Sequence, residues 1–481
     1  MTLVAGVDSS TQSVKVVVRD ADTGELIRES RAPHPEGTSV DPRAWWSALG
    51  TALDGMLDGV SAIAVAGQQH GMVALDAAGE PVRDALLWND TRSSAAADDL
   101  VREWGGSQAW ADAVGSVPVA AFTVSKVRWL AEHEPANAAR AESMMLPHDY
   151  LTWRLAGCPE IATTDRGDVS GTGYWSPATG DYRNDLFELA FGRQLRLPRV
   201  AGPAEIVGET SSGIAIAPGT GDNMGAGLAL ELMPGDVVVS LGTSGTAFAC
   251  SSVPAADPSG AVAGFADATG RFLPLVCTLN AARILTATAS MLGVSFDELA
   301  ALALSAPAGS GGLVLLPYFD GERTPNLPDA TGSLLGITRA NYTPANIARA
   351  AYEGMLGGLT DAVDALVDVG VQPGRIMLVG GAAANSAVAQ IAATLFDAPI
   401  EIPTPGEYVA DGAARQAAWA LSGAAEPPTW GLGTAGERFE AAPIGSVRDA
   451  YAAARRAFAT YSGTSTPMAS TNATPEVMTK R

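Results

Sequence analysis

The stretch GVDSSTQSVKVVV, residues 6–18, has a counterpart later in the chain, GDVVVSLGTSGTAFAC, residues 235–250. Each consists of a β-branched strand, a tight turn rich in serine and threonine, and a second strand, which is the pattern of a β-hairpin. The likeness indicates a weak internal repeat. It predicts two similar halves, each of which contributes one hairpin that faces phosphate in a common cleft.

The tip of the first hairpin carries polar groups suited to a phosphate. Asp8, Ser9, Ser10, Thr11 and Gln12 offer hydroxyls, backbone N–H groups and one carboxylate, and Lys15 follows just inside the second strand. Such a turn could hold a metal-bound triphosphate without a P-loop. An ordinary polar hairpin turn has the same composition and remains the alternative.

A glycine-rich turn into a helix, GTGDNMGAGLALEL at residues 219–232, presents Asp222 and Asn223 at its tip. A carboxylate at a helix N-terminus meets several backbone N–H groups, so we expect Asp222 to stay ionised, ready to accept a proton or hold a cation. The alternative is an N-cap aspartate in a glycine-rich loop.

A buried strand over residues 61–65 leads into AGQQHGM, residues 66–72, which places Gln69 and His70 beyond the carboxyl end of that strand. Open α/β sheets bind ligands at this position. Amide and imidazole groups between glycines suit the hydroxyls of a polyol, although most isolated histidines are structural.

The segment LLWNDTR, residues 86–92, packs several functional side chains together after another strand. Trp88 could stack on the face of a sugar. Asp90 and Arg92 either bind hydroxyls or pair with each other at the start of the next helix.

Two segments of the second half have chemical potential. RIMLVGGAAANSAVAQIAATLF, residues 375–396, reads as a strand, Gly380-Gly381 and a helix, an arrangement in which the adenosine end of a nucleotide can lie against backbone. A plain strand-to-helix turn is equally compatible. The loop LLPYFDGERTPN, residues 315–326, is too charged to belong to the core.

Composition limits the class of protein. The 481 residues favour two large domains, and the net charge of 30 − 52 = −22 argues against nucleic acid and anionic membranes as partners. No apolar run approaches the roughly 18–20 residues of a membrane span. The three cysteines lack metal-binding spacing, and a reducing cytoplasm fits them best.

Lysine is nearly absent, and this excludes two large enzyme classes. Lys15, Lys126 and Lys480 are the only lysines, and none completes the GxxxxGK[ST] motif of a P-loop NTPase. The lysine, HRD and DFG set of protein kinases is missing too.

The ordered series GVDSSTQSVK, AGQQHG, WNDTR, GDNMGAG, SLGTSGT, LPYFDGERTP and VGGAAAN closely resembles the FGGY carbohydrate kinases, and within them the xylulokinase-like members. The likeness extends to about residue 460. It implies an α/β fold of two ribonuclease H-like domains of the actin and Hsp70 ATPase type, with a cleft between them. Residues 1–232 would hold the sugar loops and the catalytic aspartate, residues 233–461 would bind nucleotide, and residues 462–481 would be a disordered tail.

The resemblance also implies roles for individual residues. Asp222 would be the catalytic base, and it and Asp8 would hold the Mg2+ of Mg–ATP. Sugar contacts would come from Gln69, His70, Trp88, Asp90, Asp222 and Asn223. Nucleotide contacts would come from Thr11, Lys15, Thr243, Ser244, Gly380, Gly381, Ala382 and Asn385. Ser10 and Ala382 stand where the family often has glycine, which bears on nucleotide affinity more than on the reaction.

The implied activity is ATP-dependent phosphorylation of D-xylulose at its C5 hydroxyl. Another ketose or polyol, such as ribulose, ribitol, gluconate or glycerol, remains possible as the substrate. From a different class, a non-catalytic actin-like protein that senses sugar or nucleotide is the remaining alternative. The family likeness makes a homodimer plausible.

Overall fold

A computed structural model describes residues 1–461 of the chain, and the predicted disordered tail, residues 462–481, lies outside them. The strands of the first half are β1 (Leu3–Ser9), β2 (Ser13–Asp20), β3 (Leu26–Pro33), β4 (Ser39–Val40), β5 (Val60–Gly67), β6 (Val73–Leu75), β7 (Ala85–Leu86), β8 (Ser143–Met145), β9 (Thr163–Thr164), β10 (Trp175–Ser176), β11 (Asp181–Tyr182), β12 (Arg199–Val200), β13 (Gly208–Glu209), β14 (Ala215–Ile216) and β15 (Thr220–Gly221). Its helices are α1 (Pro42–Leu53), α2 (Ser94–Glu103), α3 (Ser107–Val114), α4 (Thr123–His133), α5 (Pro135–Arg140), α6 (Pro147–Leu155), α7 (Arg166–Val169), α8 (Asn184–Phe191) and α9 (Asp222–Ala229).

The second half begins with the repeated hairpin. Its strands are β16 (Asp236–Leu241), β17 (Gly245–Ala249), β18 (Ala263–Ala266), β19 (Phe272–Thr278), β20 (Val314–Leu316), β21 (Ser333–Leu335), β22 (Arg375–Val379), β23 (Ile400–Pro403) and β24 (Ala435–Phe439). Its α-helices are α10 (Ala282–Leu292), α11 (Phe296–Ser305), α12 (Pro344–Asp368), α13 (Ser386–Ala392), α14 (Tyr408–Ser422) and α15 (Gly445–Tyr461). Short 3-10 helices cover Ser310–Gly312 and Gly381–Ala384.

The main sheet of each half has the same arrangement. In the first, the antiparallel meander β3-β2-β1 continues through β5, which runs parallel to β1, into β14 and β15. In the second, the antiparallel series β19-β17-β16 continues through the parallel strands β22 and β23. The hairpin β1–β2 therefore corresponds to β16–β17, which confirms the prediction of two similar α/β halves.

The central strands are hydrophobic on both faces because helices cover both sides of the first sheet. On one face, Val7, Val16 and Ile63 pack against Trp45 and Leu49 of α1. On the other face, Val4, Ala62 and Ala64 pack against the alanines of α14. Trp45 and Leu49 of α1 are therefore part of this core.

Helix α14 belongs to the second half by sequence but packs on the first sheet and on α9. The approach requires glycine on both sides. A Cβ at Gly6 would lie 1.9 Å from the carbonyl oxygen of Ala410, and one at Gly412 would lie 1.8 Å from the carbonyl oxygen of Gly225. The two halves are therefore joined by closely packed backbone rather than by a loose linker.

Within residues 1–461, no single helix is long and apolar enough to cross a membrane. The pair α10 and α11 together reaches the required length and composition, but it is bent by 91° at the break between the two helices. Ile284, Leu285 and Leu299 of this pair lie in the core of the second half.

Candidate active site

The carboxyl ends of parallel strands gather the predicted site residues of the first half. Asp8 lies near the end of β1, Gln69 and His70 follow β5, and Asp222 follows β15. Because β1, β5 and β15 run parallel, these residues meet at one edge of the sheet. In the second half, Thr243 and Gly380 follow the parallel pair β16 and β22 in the same way.

Asp222 is the first residue of α9, where its Oδ1 accepts hydrogen bonds from the backbone N–H and the side-chain Nδ2 of Asn223, at 2.7 and 2.8 Å. Burial, together with the nearby charge of Asp8, raises its pKa to about 7. Burial outweighs the Asn223 N–H group, which favours the ionised form, so Asp222 is ionised from about neutral pH upward rather than over the whole range expected from the sequence. A carboxyl with a pKa close to neutrality is poised to accept a proton.

Asp8 is the second member of this carboxylate pair. It is buried, and it accepts a hydrogen bond of 2.5 Å from the Ser10 hydroxyl. Burial raises its pKa to about 6, although the Lys15 ammonium, 4.0 Å away, opposes that shift. Lys15 pairs more closely with Glu407, which precedes α14 in the second half.

The loop after β5 is joined directly to the Asp222 turn. Asn223 Nδ2 donates to Oε1 of Gln69 at 3.0 Å. The side-chain nitrogens of Gln68 and Gln69 are buried, and neither has a hydrogen-bond partner among the residues that the structure describes. Unpartnered buried donors next to a cleft are suited to ligand oxygens.

His70 is held in an uncommon backbone conformation, with φ 65°, by contacts on every side. Its Nδ1 bonds to the carbonyl oxygen of Gly171 at 2.7 Å, and its ring stacks on Phe122 at 4.8 Å between centroids. Burial lowers its pKa to about 3, so the ring is neutral. Because Nδ1 must then carry the proton to donate to Gly171, Nε2 is an acceptor for a hydroxyl.

Trp88 and Asp90 have different surroundings. Trp88 is 40% exposed, and its indole N–H donates to the hydroxyl of Thr11 at 2.9 Å, at the tip of the first hairpin. Asp90 is buried and accepts from the Thr38 hydroxyl at 2.8 Å and from Nε of Arg92 at 2.8 Å. Of the two readings for Asp90 and Arg92, the structure therefore contains the local ion pair.

In the second half, the predicted nucleotide residues lie around the end of β16. A Cβ at Gly380, whose φ is 91°, would lie 2.9 Å from the backbone of Leu241, so glycine allows this close approach. Gly381 and Ala382 begin a 3-10 helix, and Asn385 caps α13 through Ala387 N at 3.0 Å. Thr243 is exposed and Ser244 partly exposed, in the turn between β16 and β17.

A buried charged cluster behind the Asp222 turn was not identified as functional from the sequence. His148 contacts three carboxylates, with Nδ1 2.7 Å from Asp168, and Nε2 3.2 Å from Asp149 and 3.7 Å from Asp165. Although burial alone would lower it, these carboxylates raise the pKa of His148 to about 9. Asp165 in turn accepts from the Thr220 hydroxyl at 2.8 Å, two residues before Asp222.

No spacing signal along the chain links these residues, because His148 lies in the first turn of α6 while Asp165 and Asp168 lie around α7. Asp165 and Asp168 belong to a segment rich in glycine, aspartate and threonine, residues 163–173, and such segments often line a cleft. The cluster attaches that loop to the turn that presents Asp222.

The carboxylate pair fits a divalent cation bound with a nucleotide. Mg2+ is usually held by one or two carboxylates, while phosphates and water complete its shell. Residues 1–461 contain no group of three or more acidic, histidine or cysteine side chains arranged to enclose a metal ion on their own. Asp8 and Asp222 carry hard oxygen atoms of the kind that could hold such an ion together with the phosphates of a nucleotide.

Comparison with known proteins assigns both halves to one family. The N-terminal domain of the FGGY family of carbohydrate kinases matches residues 3–225, and its C-terminal domain matches residues 237–421. The chain is 47% identical over 437 residues to the xylulose kinase of Streptomyces coelicolor, covering 88% of each chain, and 44% identical to that of Streptomyces rubiginosus over the same length and shares.

Among solved structures, the xylulose kinase from Bifidobacterium adolescentis superposes with a TM-score of 0.90 at 46% identity, covering 94% of this chain and 99% of that one. The two matched domains, the paired sheets and the strand-end carboxylates lead to one conclusion. The chain belongs to the FGGY family of carbohydrate kinases.

Proposed function

We propose that the chain transfers the γ-phosphoryl group of ATP to the C5 hydroxyl of D-xylulose, giving D-xylulose 5-phosphate. One observation carries the proposal. Asp222, whose pKa is about 7, is connected through Asn223 to Gln69 in the loop after β5. Similarity to two Streptomyces xylulose kinases supports the choice of sugar.

Asp222 would accept the proton of the attacking hydroxyl as that oxygen approaches phosphorus in line. Gln69, His70 and Asn223 would orient the sugar, with Nε2 of His70 accepting from one of its hydroxyls. Trp88 would lie at the mouth of this pocket, where its exposed ring is joined to Thr11. Asp90 would serve the pocket together with Arg92, to which it is bonded, through the acceptor capacity that Thr38 and Arg92 leave on its carboxylate.

The nucleotide would lie between the two hairpins. Thr11 and Lys15 from the first, and Thr243 and Ser244 from the second, would face the phosphates, while Gly380, Gly381, Ala382 and Asn385 would flank the adenosine. Mg2+ held by Asp8 and Asp222 would offset the negative charge of the phosphates when it is bound. Closure of the halves would exclude water, which the base would otherwise activate.

We further propose residues 1–232 and 233–461 as the two domains, a cytoplasmic location, a possible homodimer and no nucleic-acid or membrane partner. The net charge of −22 supports the last of these, because anionic surfaces would repel the protein.

The experiment is ATP-dependent ADP release with Mg2+, coupled optically and measured with D-xylulose, D-ribulose, L-ribulose, ribitol, gluconate and glycerol. We expect kcat/KM for D-xylulose to exceed every other value by about tenfold or more, the discrimination that a few pocket contacts provide. A higher kcat/KM for another compound of the panel would make that compound the substrate in place of D-xylulose. Nucleotide binding without release on any sugar would favour the sensing alternative.

A further inference from the structure

The N-terminal end of α4 contacts both the side chain and the backbone of His70. The ring of Phe122, which immediately precedes the helix, stacks on the imidazole at 4.8 Å between centroids. The Thr123 hydroxyl and the Lys126 ammonium both donate to the carbonyl oxygen of His70, each at 3.2 Å. Both donors are completely buried. One helix end therefore meets His70 on its ring and on its peptide group.

The backbone of His70 needs such support. Its φ of 65° lies in the left-handed region, which is unfavourable for a residue with a Cβ and persists only where surrounding contacts impose it. The loop after β5 is anchored on either side of His70, where Gln68 N donates to Ser9 O at 3.1 Å and Met72 N donates to Leu86 O at 2.9 Å. Between these anchors, the two donors on α4 fix the direction of the His70 carbonyl.

The ring of His70 has little room to compensate for a shift of its backbone. Its Nδ1 bonds to the carbonyl oxygen of Gly171 at 2.7 Å, and a Cβ at Gly171 would lie only 2.7 Å from Cε1 of the ring. Phe122 covers one face. Because the ring is confined in this way, a displaced His70 backbone would redirect Nε2, the atom proposed to accept from a sugar hydroxyl.

Lys126 is an expensive residue at this position. The other acceptor of its ammonium is the carbonyl oxygen of Ala121, so both of its bonds within the described residues 1–461 go to backbone oxygens rather than to a carboxylate. Burial lowers its pKa to about 7, although the charge of Asp90 opposes that shift. The N-terminal end of a helix also disfavours a cation. An apolar side chain would avoid these costs, and such departures from favourable burial concentrate at functional sites.

We propose that Lys126 and Thr123 are positioning residues, whose hydrogen bonds to the His70 carbonyl set the place where Nε2 of His70 meets the sugar and thereby the affinity for it. The inference rests on the proposed function, in which His70 binds the sugar. Neither side chain would touch the sugar itself. Small displacements of a binding group are sufficient for a large effect, because a hydrogen bond weakens steeply with distance and angle.

The test uses substitutions that remove or retain one donor at a time. Thr123→Val removes the hydroxyl and keeps a similar shape, whereas Thr123→Ser retains the hydroxyl. Lys126→Met removes the ammonium from a side chain of similar length. The matched control is Ser125→Ala, because Ser125 is also buried in the first turn of α4 but donates to the carbonyl oxygen of Val119, at 2.9 Å.

Each variant is assayed for the KM of sugar and of ATP, for calorimetric binding of D-xylulose without nucleotide, and for urea unfolding. The sugar KM and Kd should rise about threefold to tenfold in Thr123→Val and about tenfold or more in Lys126→Met, as the loss of a neutral and of a charged hydrogen bond gives. The KM of ATP should stay unchanged. Thr123→Ser should remain close to the wild type. Ser125→Ala should lose stability much as Thr123→Val does, yet keep the wild-type sugar KM.

An unchanged sugar KM and Kd in either Thr123→Val or Lys126→Met would overturn the inference. Equal rises in the KM of ATP and of sugar would do the same, because they would indicate general damage to the cleft. A rise in Ser125→Ala as large as that in Thr123→Val would attribute the effect to loosening of α4 and also overturn it. If Lys126→Met does not fold, the comparison of Thr123→Val with Thr123→Ser decides on the same readouts.

The wild type separates this test from that of the proposed function. Wild-type turnover with D-xylulose combined with wild-type constants in Thr123→Val or Lys126→Met defeats this inference alone. A wild type inactive on the whole panel defeats the proposed function, and the inference falls with it.

Discussion

Replacement of Asp222 by asparagine tests the reaction most directly. Asparagine keeps the size of the side chain. It also keeps an oxygen that can accept the hydrogen bond from Asn223 N, which is 2.7 Å long in the wild type, so the start of α9 should be preserved. The amide cannot take a proton from the sugar hydroxyl. Removal of a general base costs about 10²- to 10⁴-fold in turnover, which corresponds to about 3–5 kcal/mol in the barrier.

The same substitution should stabilise the fold, and this separates loss of chemistry from loss of structure. An acid whose pKa rises on folding loses stability as the pH rises from its ordinary value through its folded value. For Asp222 these are 3.8 and about 7, so the wild type bears a cost at pH 8 on the order of 2–4 kcal/mol. Asp222→Asn should recover part of it, and the gain should shrink as the pH falls toward 5.

The assays are coupled ADP release with saturating sugar and ATP, and urea unfolding at pH 8 and at pH 5. Asp185→Asn is the matched control, because Asp185 also lies in the first turn of a helix and is an exposed side chain paired with Arg183. It should leave turnover unchanged. Turnover of Asp222→Asn within about tenfold of the wild type would refute the base assignment, since general-base removal exceeds that span.

Three further outcomes are expected. The kcat/KM for sugar should fall about tenfold per pH unit below a pH of about 7, because Asp222 must be ionised to act, and a flat profile from pH 5 to 8 would contradict this. His70→Asn should raise the sugar KM by roughly tenfold and leave the KM of ATP unchanged, because one acceptor and the stacked ring are lost. Steady-state kinetics with each substrate varied in turn measures both constants. An equal rise in the KM of ATP would count against a sugar contact. Gly412→Ala should lower the free energy of unfolding by about 1–3 kcal/mol or more, because its Cβ would lie 1.8 Å from the oxygen of Gly225. Gly50→Ala, in α1 with open space around it, should instead raise that free energy by about 0.5–1 kcal/mol, and urea unfolding of both variants checks the contrast.

The halves of the fold could be predicted because their signals are local. A β-branched run, a serine-rich turn and a second run specify a hairpin within a few residues, and the two copies at residues 6–18 and 235–250 head sheets with the same strand arrangement. Likewise, the position of Gln69, His70 and Asp222 after buried strands follows from chain order and from parallel pairing alone.

The electrostatic state of the site could not be predicted in this way. The turn of Asp222 indicates an ionised carboxylate, yet its pKa depends on burial and on Asp8, which lies on a strand from the other end of the first half. The sequence near Asp90 allowed either an ion pair with Arg92 or a sugar contact. The structure contains the ion pair, and it adds a hydrogen bond from Thr38, which no local pattern connects to Asp90.

Long-range packing explains the remaining differences. The buried cluster of His148 could not be predicted because only Asp149 is its neighbour in sequence, while Asp165 and Asp168 come from a separate loop.

The packing of α14 has a consequence for how the protein is made. One face of the first sheet, with Val4, Ala62 and Ala64, stays uncovered during synthesis until Ser422 has emerged from the ribosome. The early half therefore cannot complete its fold as a unit ahead of the later one, contrary to the usual order for domains of a long chain. Nascent chains that stop between Ala229 and Tyr408 should expose this alanine-lined face to chaperones and proteases. A bound chaperone should be released once α14 has been synthesised and covers the face.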